Sequence, residues 1–457
     1  MFKALHLQNF KSWQDTGTIN LAPITAFFGN NSSGKSTILQ FLLLLKQTIE
    51  SSDRHRVLHT GDQRSYVNLG TFHNIAHNHT IANPIEFSLT WELPQALEIL
   101  DPQGKDILFN IKTLEFHSKI QLQPDQVCVD YFRYCFTSNT EAISFGLQRK
   151  AHQYQLQATG YQPKRVKGRP WELPNPIKNY GFPDQASGYF QNTGFLSDFS
   201  LAYENAFQQT YYLGPLREYP QRLYAWAGEK PQDVGQRGEL AISALLASRQ
   251  LPKIKQGKGK KAIALEAYIA QWLKKLGLIE TFKVQPIGEN RQEYEVKVQQ
   301  TPHSPEVFIT DVGFGLSQIL PVLVLCYYAP PGSTIILEQP EIHLHPSVQA
   351  GLADVFVDAI KTRQIQIIVE SHSEHLLRRL QRRIAEAEEG LNPQDIQLYF
   401  CTSNPDGQST MTPLAIDSFG NIANWPEQFF GDEMGDLIAM TEAAMKRQMG
   451  ERLETHA

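Results

Sequence analysis

The sequence predicts an α/β fold with a β-rich insertion, and three patterns along its 457 residues support this prediction. Near the amino terminus, a short apolar run at residues 24–28 precedes a glycine-rich turn and a leucine-rich helical stretch at residues 37–49. Between residues 80 and 165, apolar and polar side chains alternate, as in half-buried antiparallel strands. From residue 307 to about residue 400, apolar strands alternate with helices, which is typical of the α/β class.

The composition is that of an ordinary globular protein. Hydrophobic residues make up 41% of the chain and charged residues 19%, as in soluble domains. The length suffices for two or three packed units. The 42 basic and 47 acidic side chains leave a net charge of −5, which provides no overall attraction to nucleic acid. None of the four cysteines forms a C-x-x-C pair, so unpaired thiols in a reducing compartment are expected.

The sequence carries no membrane signal. Residues 1–7 lack the charged-then-apolar pattern of a signal peptide. The longest apolar runs, residues 41–45 and 319–329, are shorter than the roughly 20 residues that cross a bilayer. We therefore expect a cytoplasmic protein that does not associate with membranes.

The middle of the chain gives weaker signals. Residues 165–205 are rich in Pro, Gly, Asn and aromatic side chains and are predicted to be irregular. Helices are predicted near residues 239–248 and 262–276. Between these helices lies a lysine run, residues 253–261, which either contacts nucleic-acid phosphates or forms a flexible solvated loop.

Residues 29–36, Gly-Asn-Asn-Ser-Ser-Gly-Lys-Ser, fit the phosphate-loop pattern G-x-x-x-x-G-K-[ST]. Backbone N–H groups of such a loop and of the following helix start point at the phosphates of a nucleotide. Lys35 is expected to reach the β- and γ-phosphates of ATP, and the Ser36 hydroxyl to bind Mg²⁺. The nucleotide-binding residues predicted in this segment are Asn30, Asn31, Ser33, Gly34, Lys35, Ser36 and Thr37.

Two later strands deliver polar residues to the same site. Residues 334–338 form an apolar strand that ends in Glu338, the expected acid on the magnesium side. Residues 366–370 form a second apolar strand that runs into His372. A histidine alone would more often be a capping or core residue. In this order and spacing, His372 is predicted to sense the γ-phosphate.

Together these motifs resemble the ABC-type ATPases of the RecF, OLD and structural-maintenance-of-chromosomes groups. Residues 9–12 resemble the opening strand and turn of that family, which adds Lys11 to the nucleotide-binding set. Residues 338–346 resemble its acid-and-D-loop segment, and residues 370–373 its switch histidine. Residues 311–318 stand where its signature motif belongs, although L-S-G-G-Q itself is absent.

The resemblance implies a two-lobed ABC-type ATPase head that closes over ATP as a homodimer. In that arrangement Gly315 and Ser317 of one subunit contact the nucleotide held by the other. We assign residues 1–80 to the amino-terminal part of the head, with the phosphate loop, and residues 81–205 to the insertion. Residues 206–300 are a linking helical and β segment, and residues 301–457 are the carboxyl-terminal part of the head.

One departure from the family concerns Gln339. The family carries a carboxylate immediately after the magnesium-side acid, where it polarises the attacking water. An amide orients a water but cannot accept its proton, so slow hydrolysis is expected. Glu341 and His343 are the neighbouring groups that could act instead. Gln63 is the nearest candidate for the glutamine loop of the family, with a plain surface residue as the alternative.

A dense polar-aromatic segment at residues 211–224 lies outside any predicted element. Its Arg217 either reaches a phosphate or the partner subunit, or pairs internally with a nearby glutamate.

The implied function is an ATPase clamp or regulator for DNA, or for a separate nuclease or effector protein. By resemblance to nuclease-free relatives in the OLD neighbourhood, genome maintenance or phage defence is the implied setting. The alternative is a nucleotide-gated switch with little or no hydrolysis. A transporter subunit is disfavoured by the missing L-S-G-G-Q and by the large insertion.

Overall fold

The structure is a computed structural model that describes residues 1–101, 104, 106–124, 126–138, 140–169, 172–255, 261–387, 391–426, 429 and 433–454. Its strands are β1 (Phe2–Phe10), β2 (Trp13–Asn20), β3 (Ile24–Gly29), β4 (Ile85–Leu100), β5 (Ile107–Gln123), β6 (Gln126–Ser138), β7 (Glu141–Lys150), β8 (Gln153–Thr159), β9 (Thr210–Leu213), β10 (Tyr224–Ala225), β11 (Thr281–Pro286), β12 (Glu293–Gln299), β13 (Val307–Phe308), β14 (Thr334–Glu338), β15 (Gln366–Glu370), β16 (Ile396–Ser403) and β17 (Ser409–Leu414). Its helices are α1 (Lys35–Glu50), α2 (Phe72–Ile75), α3 (Gln185–Tyr189), α4 (Leu196–Gln208), α5 (Ala241–Ser248), α6 (Leu265–Lys275), α7 (Phe314–Tyr328), α8 (Pro346–Thr362), α9 (Glu374–Glu386) and α10 (Glu433–Glu454).

A six-stranded sheet in the order β17-β16-β3-β15-β14-β9 organises the fold. Its strands run parallel except for β17, which pairs antiparallel with β16. This parallel sheet confirms the predicted α/β class. Because β15 lies between β3 and β14, the carboxyl ends of these three strands meet at one edge of the sheet.

A second, seven-stranded sheet is antiparallel, in the order β2-β1-β4-β5-β6-β7-β8. Strands β4, β5 and β6 contain the alternating segments expected in the insertion, and burial alternates along much of their length. Strands β7 and β8 extend the same sheet. The same sheet also contains β1 and β2 from the beginning of the chain. A smaller antiparallel sheet has the order β10-β12-β11, with β13 paired to β12.

The parallel sheet is buried on both faces, and each face belongs to a different hydrophobic core. Along β3, Ala26 and Phe28 belong to one core and Phe27 to the other. The first core lies between the sheet and helices α5 to α9. The second contains α1, α4 and the apolar face of the seven-stranded sheet. Twelve of the sixteen residues of α1 are buried as a result.

Two predictions about the middle of the chain were wrong. Residues 165–205 were expected to be irregular, but α4 begins within them, and its Leu196, Phe199 and Tyr203 face the second core. The surrounding Pro and Gly residues hide this helical spacing in the sequence. Residues 211–213 were placed outside any element, but they belong to β9, whose four residues are all buried. So short a strand, buried on both faces, shows no alternation.

None of the helices in the part of the chain that the structure describes combines the length and apolarity needed to cross a membrane. The prediction about the lysine run cannot be followed through, because residues 256–260 lie outside the described residues.

Gly29, the last residue of β3, generates a prediction about stability. Its φ is +134°, and a Cβ placed there would lie 2.0 Å from the backbone oxygen of Cys401 on β16. Gly29→Ala should therefore lower the free energy of unfolding by on the order of 3 kcal/mol, through strain and displacement of β16. Chemical denaturation measures the change. Gly188→Ala is the control, because a Cβ at Gly188 has no atom within 4 Å; equal stability of the two variants would contradict the prediction.

Candidate functional site

The predicted phosphate loop connects β3 to α1, and its backbone conformation depends on a glycine. Gly34 has a φ of +87°, and a Cβ on it would lie 2.3 Å from Ser409 Oγ. The Trp13 indole N–H donates to the Gly34 carbonyl at 3.0 Å. Trp13 at the start of β2 and Ser409 at the start of β17 therefore pack against the loop. The positive φ and these close neighbours require glycine at position 34.

Lys35 lies at the centre of this loop. Its side chain is only 3% exposed, and its ammonium donates to the backbone oxygens of Gly29 at 3.0 Å and Asn30 at 2.7 Å. Burial lowers the pKa of Lys35, and the nearby Glu370 acts in the opposite direction. The loop thus encloses a positive charge, which is the arrangement that binds phosphate groups.

A cleft of about 360 Å³ opens in front of the loop. Its lining consists of Lys11, Ser12, residues 31–37, Gln339, Glu370 and His372. Most of the predicted amino-terminal binding residues therefore share one cavity. Asn30 is not in the lining, and its carbonyl accepts from Lys35 instead. Lys11 donates to the Gln40 side chain on α1 at 2.7 Å, and burial lowers its pKa.

Two carboxylates end neighbouring strands beside the loop. Glu338 on β14 and Glu370 on β15 are direct partners in the parallel register, and Glu370 is opposite Phe27 of β3. The Tyr212 hydroxyl of β9 donates to Glu338 Oε1 at 3.1 Å. Burial raises the pKa of Glu338 to about 7, and the charge of Glu370 adds to the rise. Carboxylate and hydroxyl oxygens are suitable ligands for Mg²⁺, so Glu338 and Ser36 fit a magnesium site by chemistry. Ser36 lines the cleft, whereas Glu338 does not.

Glu341 and His372 are connected through the backbone. The His372 N–H donates to Glu341 Oε1 at 2.6 Å, so this carboxylate holds the loop that presents the histidine. Glu341 is itself buried, and burial raises its pKa. It does not line the cleft, whereas His372 does. Burial also lowers the pKa of His372, with Lys35 contributing, which favours a neutral imidazole.

Gln339 turns the chain at the end of β14. Its φ is +43°, in the left-handed region, and its backbone N–H donates to the Glu370 carbonyl at 2.9 Å. The side chain lines the cleft. The residue that departs from the expected pattern therefore lies at the surface of the cleft, directly beside Glu370.

The predicted signature residues lie apart from this cleft. Gly315 and Ser317 are in the first turns of α7 and do not line the cleft of their own chain. Ser317 is buried, and its hydroxyl donates to the Phe314 carbonyl at 2.7 Å. A Cβ on Gly315 would have no neighbour closer than 3.7 Å. The Phe314 ring contacts His343 at a centroid distance of 5.4 Å, which joins the signature segment to the segment after Gln339.

The structure shows the surroundings of Arg217 and Gln63, for each of which the sequence left two interpretations open. Arg217 is only 5% exposed, and none of its guanidinium nitrogens has a hydrogen-bond partner among the described residues. Burial lowers its pKa to about 10, against the effect of Tyr212, Glu338 and Glu341. It thus lies in the field of these groups without forming the close ion pair considered from the sequence. Gln63 is exposed in the loop between α1 and α2 and does not line the cleft.

Sequence reasoning missed three contributors to the site. Tyr212 was noticed only as part of an aromatic segment, and Trp13 was not considered. Glu370 was seen as a flank of the switch histidine, with no role of its own. A carboxylate that ends an apolar strand was the available signal, because the same feature identified Glu338.

A larger hollow of about 450 Å³ lies at the opposite edge of the parallel sheet, near the amino ends of its strands. Trp91, Leu201 and Thr334 are among its lining residues, and no phosphate-loop residue is. The motif residues therefore select the smaller cleft.

A phosphate loop between a buried strand and a helix, beside two strand-end acids, defines the nucleotide site of a P-loop ATPase. The chain belongs to the family described as AAA ATPase domain, whose model matches residues 1–156 and 241–377, more than half of its length. This membership establishes an ATP-binding ATPase domain. Residues 391–439 match a second family, described as protein of unknown function (DUF3696). No curated protein matches the sequence.

Solved structures similar to the chain include heads of structural-maintenance-of-chromosomes proteins. A SmcHead bound to the C-winged helix domain of ScpA has a TM-score of 0.45 at 11% identity, covering 91% of this chain and 98% of that one. The SMC head domain from Thermotoga maritima has a TM-score of 0.42 at 11% identity, with coverages of 91% and 99%. An Smc head domain with an extended coiled coil, bound to the C-terminal domain of ScpA derived from Pyrococcus furiosus, has a TM-score of 0.40 at 11% identity, with coverages of 91% and 96%.

The raised pKa of Glu338 predicts a pH-dependent stability of the nucleotide-free protein. Between pH 4.5 and the folded-state value of about 7, the unfolded chain releases this proton while the folded chain retains it, so stability falls as pH rises. Glu338→Gln removes the effect. Its stability relative to wild type should therefore increase across this window by on the order of 3 kcal/mol and then level off.

Thermal and urea unfolding at a series of pH values measures this difference. Glu289→Gln, at an exposed turn, controls for the loss of one carboxylate. A stability difference between Glu338→Gln and wild type that stays constant across the window would contradict the prediction.

Proposed function

We propose that this ATPase domain binds Mg²⁺-ATP in the cleft, closes over it as a homodimer and hydrolyses it slowly. The separation of the signature residues from the cleft of their own chain supports this proposal most directly. Gly315 and Ser317 contact a nucleotide only if it is presented by a second copy. The ATP-bound dimer then acts as a clamp or regulator for DNA, or for a separate nuclease or effector protein.

Different residues of one chain bind the phosphates, the Mg²⁺ ion and the γ-phosphate in this proposal. Lys35 and the loop N–H groups bind the phosphates, and Lys11 and Thr37 border them. Ser36 and Glu338 would hold Mg²⁺, which neutralises charge that develops on the phosphate oxygens. Neutral His372 donates a hydrogen bond toward the γ-phosphate, and Glu341 fixes its backbone through the 2.6 Å contact.

Slow hydrolysis is the expected consequence of Gln339. Its amide orients a water beside the γ-phosphate but is not itself a base, so another group or the phosphate must take the proton, and a well-placed general base is typically worth 10²–10⁴-fold. The second candidate function, a nucleotide-gated switch with little or no hydrolysis, is favoured by the same residue. Steady-state ATPase measurement separates the two.

The biological setting and the segment boundaries are also proposals. Genome maintenance or phage defence is inferred from the resemblance of the motifs to the OLD neighbourhood. The boundaries at residues 80, 205 and 300 are inferred from sequence patterns. DNA binding and effector binding are tested by adding each candidate to the ATP-bound protein.

Removal of the loop ammonium tests nucleotide binding. Lys35→Ala should weaken Mg²⁺-ATP binding roughly 100-fold, because a buried charge-assisted contact to the phosphates is lost. Titration calorimetry measures the affinity. Lys283→Ala, on the small sheet and paired with Glu306, is the control for loss of a lysine. Equal affinity of Lys35→Ala and wild type would refute the site assignment.

A bulky residue at Gly315 tests closure. Mg²⁺-ATP should shift the wild-type protein toward a dimer, and Gly315→Arg should prevent that shift while leaving ATP affinity within about threefold. In the monomer a Cβ at position 315 has no neighbour closer than 3.7 Å, whereas a long charged side chain there would obstruct the proposed interface. Position 315 is preferable to buried Ser317, where arginine would disturb α7.

Analytical ultracentrifugation with and without Mg²⁺-ATP measures the dimer. Gly188→Arg adds the same charge at a position where a Cβ meets nothing within 4 Å, and it should dimerise as wild type does. An ATP-independent mass for wild type, or normal closure of Gly315→Arg, would contradict the dimer.

A further inference from the structure

Glu370 occupies a position between the phosphate loop and the magnesium-side acid. It is the last residue of β15, the strand that separates β3 from β14. In the parallel register its neighbours are Phe27, two residues before the loop glycine, and Glu338. Strand pairing on both sides therefore fixes its backbone beside the place where the phosphates bind.

The Glu370 side chain faces the nucleotide cleft. It lines the cleft together with Lys35, Gln339 and His372, yet it is only 3% exposed. Its Oε2 atom is buried and has no hydrogen-bond partner among the described residues. A carboxylate oxygen buried without a partner destabilises the fold, so packing alone does not account for a glutamate here.

We propose that Glu370 is the general base for ATP hydrolysis, supplying the carboxylate that position 339 lacks. Glu370 takes a proton from the attacking water as the water oxygen bonds to the γ-phosphorus. The bond from that phosphorus to the bridging oxygen breaks, and its electron pair leaves with ADP. The proton then passes to solvent with the released phosphate. This inference rests on the proposed ATPase function.

The other carboxylates near Gln339, and His343, lie outside the cleft lining. Glu341 Oε1 accepts the His372 N–H, and Glu341 Oε2 is buried without a hydrogen-bond partner among the described residues. His343 is exposed and packs against the Phe314 ring. Glu338 accepts a hydrogen bond from Tyr212 and is assigned to the magnesium side. Among the described residues, Glu370 is the carboxylate in the cleft lining, and its Oε2 atom makes no hydrogen bond to any of them.

The proposal is tested by moving the carboxylate from position 370 to position 339, which lies beside it in the cleft lining. Glu370→Gln should lower kcat at least 100-fold, the lower end of the range for a general base, with the Kd for Mg²⁺-ATP changed less than about threefold. The double variant Gln339→Glu/Glu370→Gln keeps the wild-type charge and returns a carboxylate to the water, so kcat should rise at least tenfold above that of Glu370→Gln.

The nucleotide that stays bound to each variant and the lifetime of its dimer are measured together with kcat. Glu370→Gln should retain radiolabelled ATP, not ADP, after gel filtration, and should remain dimeric longer than wild type. Glu370→Asp preserves the charge but withdraws the carboxylate, and it should fall between wild type and Glu370→Gln. It also serves as the second variant if Glu370→Gln fails to fold.

Three results would overturn the proposal. The first is wild-type turnover in Glu370→Gln. The second is loss of the Mg²⁺-dependent part of ATP affinity, which would make Glu370 a metal ligand. The third is loss of turnover in Glu370→Gln that Gln339→Glu does not restore, which would make the residue structural. In each case Lys35→Ala still reports ATP binding separately, so failure of this inference is distinguishable from failure of the proposed function.

Discussion

The parallel pairing of β3, β15 and β14 is the constraint on which the rest of the site depends. Each strand is apolar because both faces of the sheet are buried, and each ends at the same edge. A chain that leaves such an edge brings its first polar residues close together although they are far apart in sequence. For this reason Lys35 and Glu370 line one cleft, and Glu338 is the direct strand partner of Glu370.

This convergence places opposite charges in a poorly hydrated space. Glu341 and Glu370 are buried and Glu338 is half-buried, and buried Lys35 and Arg217 lie near these carboxylates. Taking ions out of water is costly, and close, well-formed contacts are needed to compensate. Here several of the side-chain atoms lack such contacts within the described residues. Buried charges arranged in this way contribute little to the free energy of folding. The binding of a phosphate anion and a metal cation would strongly change the energy of these charges.

Much of the fold could be predicted from the sequence, because several of its strands and helices have strong local patterns of apolar residues. The run at residues 24–28, the leucine-rich α1 and the alternation in β4 to β6 each reveal one element from a few neighbouring residues. The phosphate loop was equally clear, since its chemistry requires a contiguous motif. Helix α4 and strand β9 were missed because breakers surround one and the other is only four residues long.

The parts of the site that escaped prediction depend on pairing rather than on local sequence. Nothing near Glu370 reveals that it is opposite Glu338, because that fact belongs to the order of strands in the sheet. The contact between Tyr212 and Glu338 likewise joins residues 126 positions apart. The burial of Ser317 depends on how α7 packs, which a glycine-bearing helix start does not show.

The chain passes back and forth between its two large sheets, and this path limits which fragments of the protein can fold on their own. Strands β1 and β2 belong to the seven-stranded sheet, β3 to the parallel sheet, β4 to β8 to the first again, and β9 to the second. Any contiguous fragment that contains one sheet intact therefore also contains at least one strand of the other sheet, and α1 is packed between the two sheets. Limited proteolysis or truncation cannot release one layer as an autonomous folding unit, and both layers are expected to unfold in a single cooperative transition.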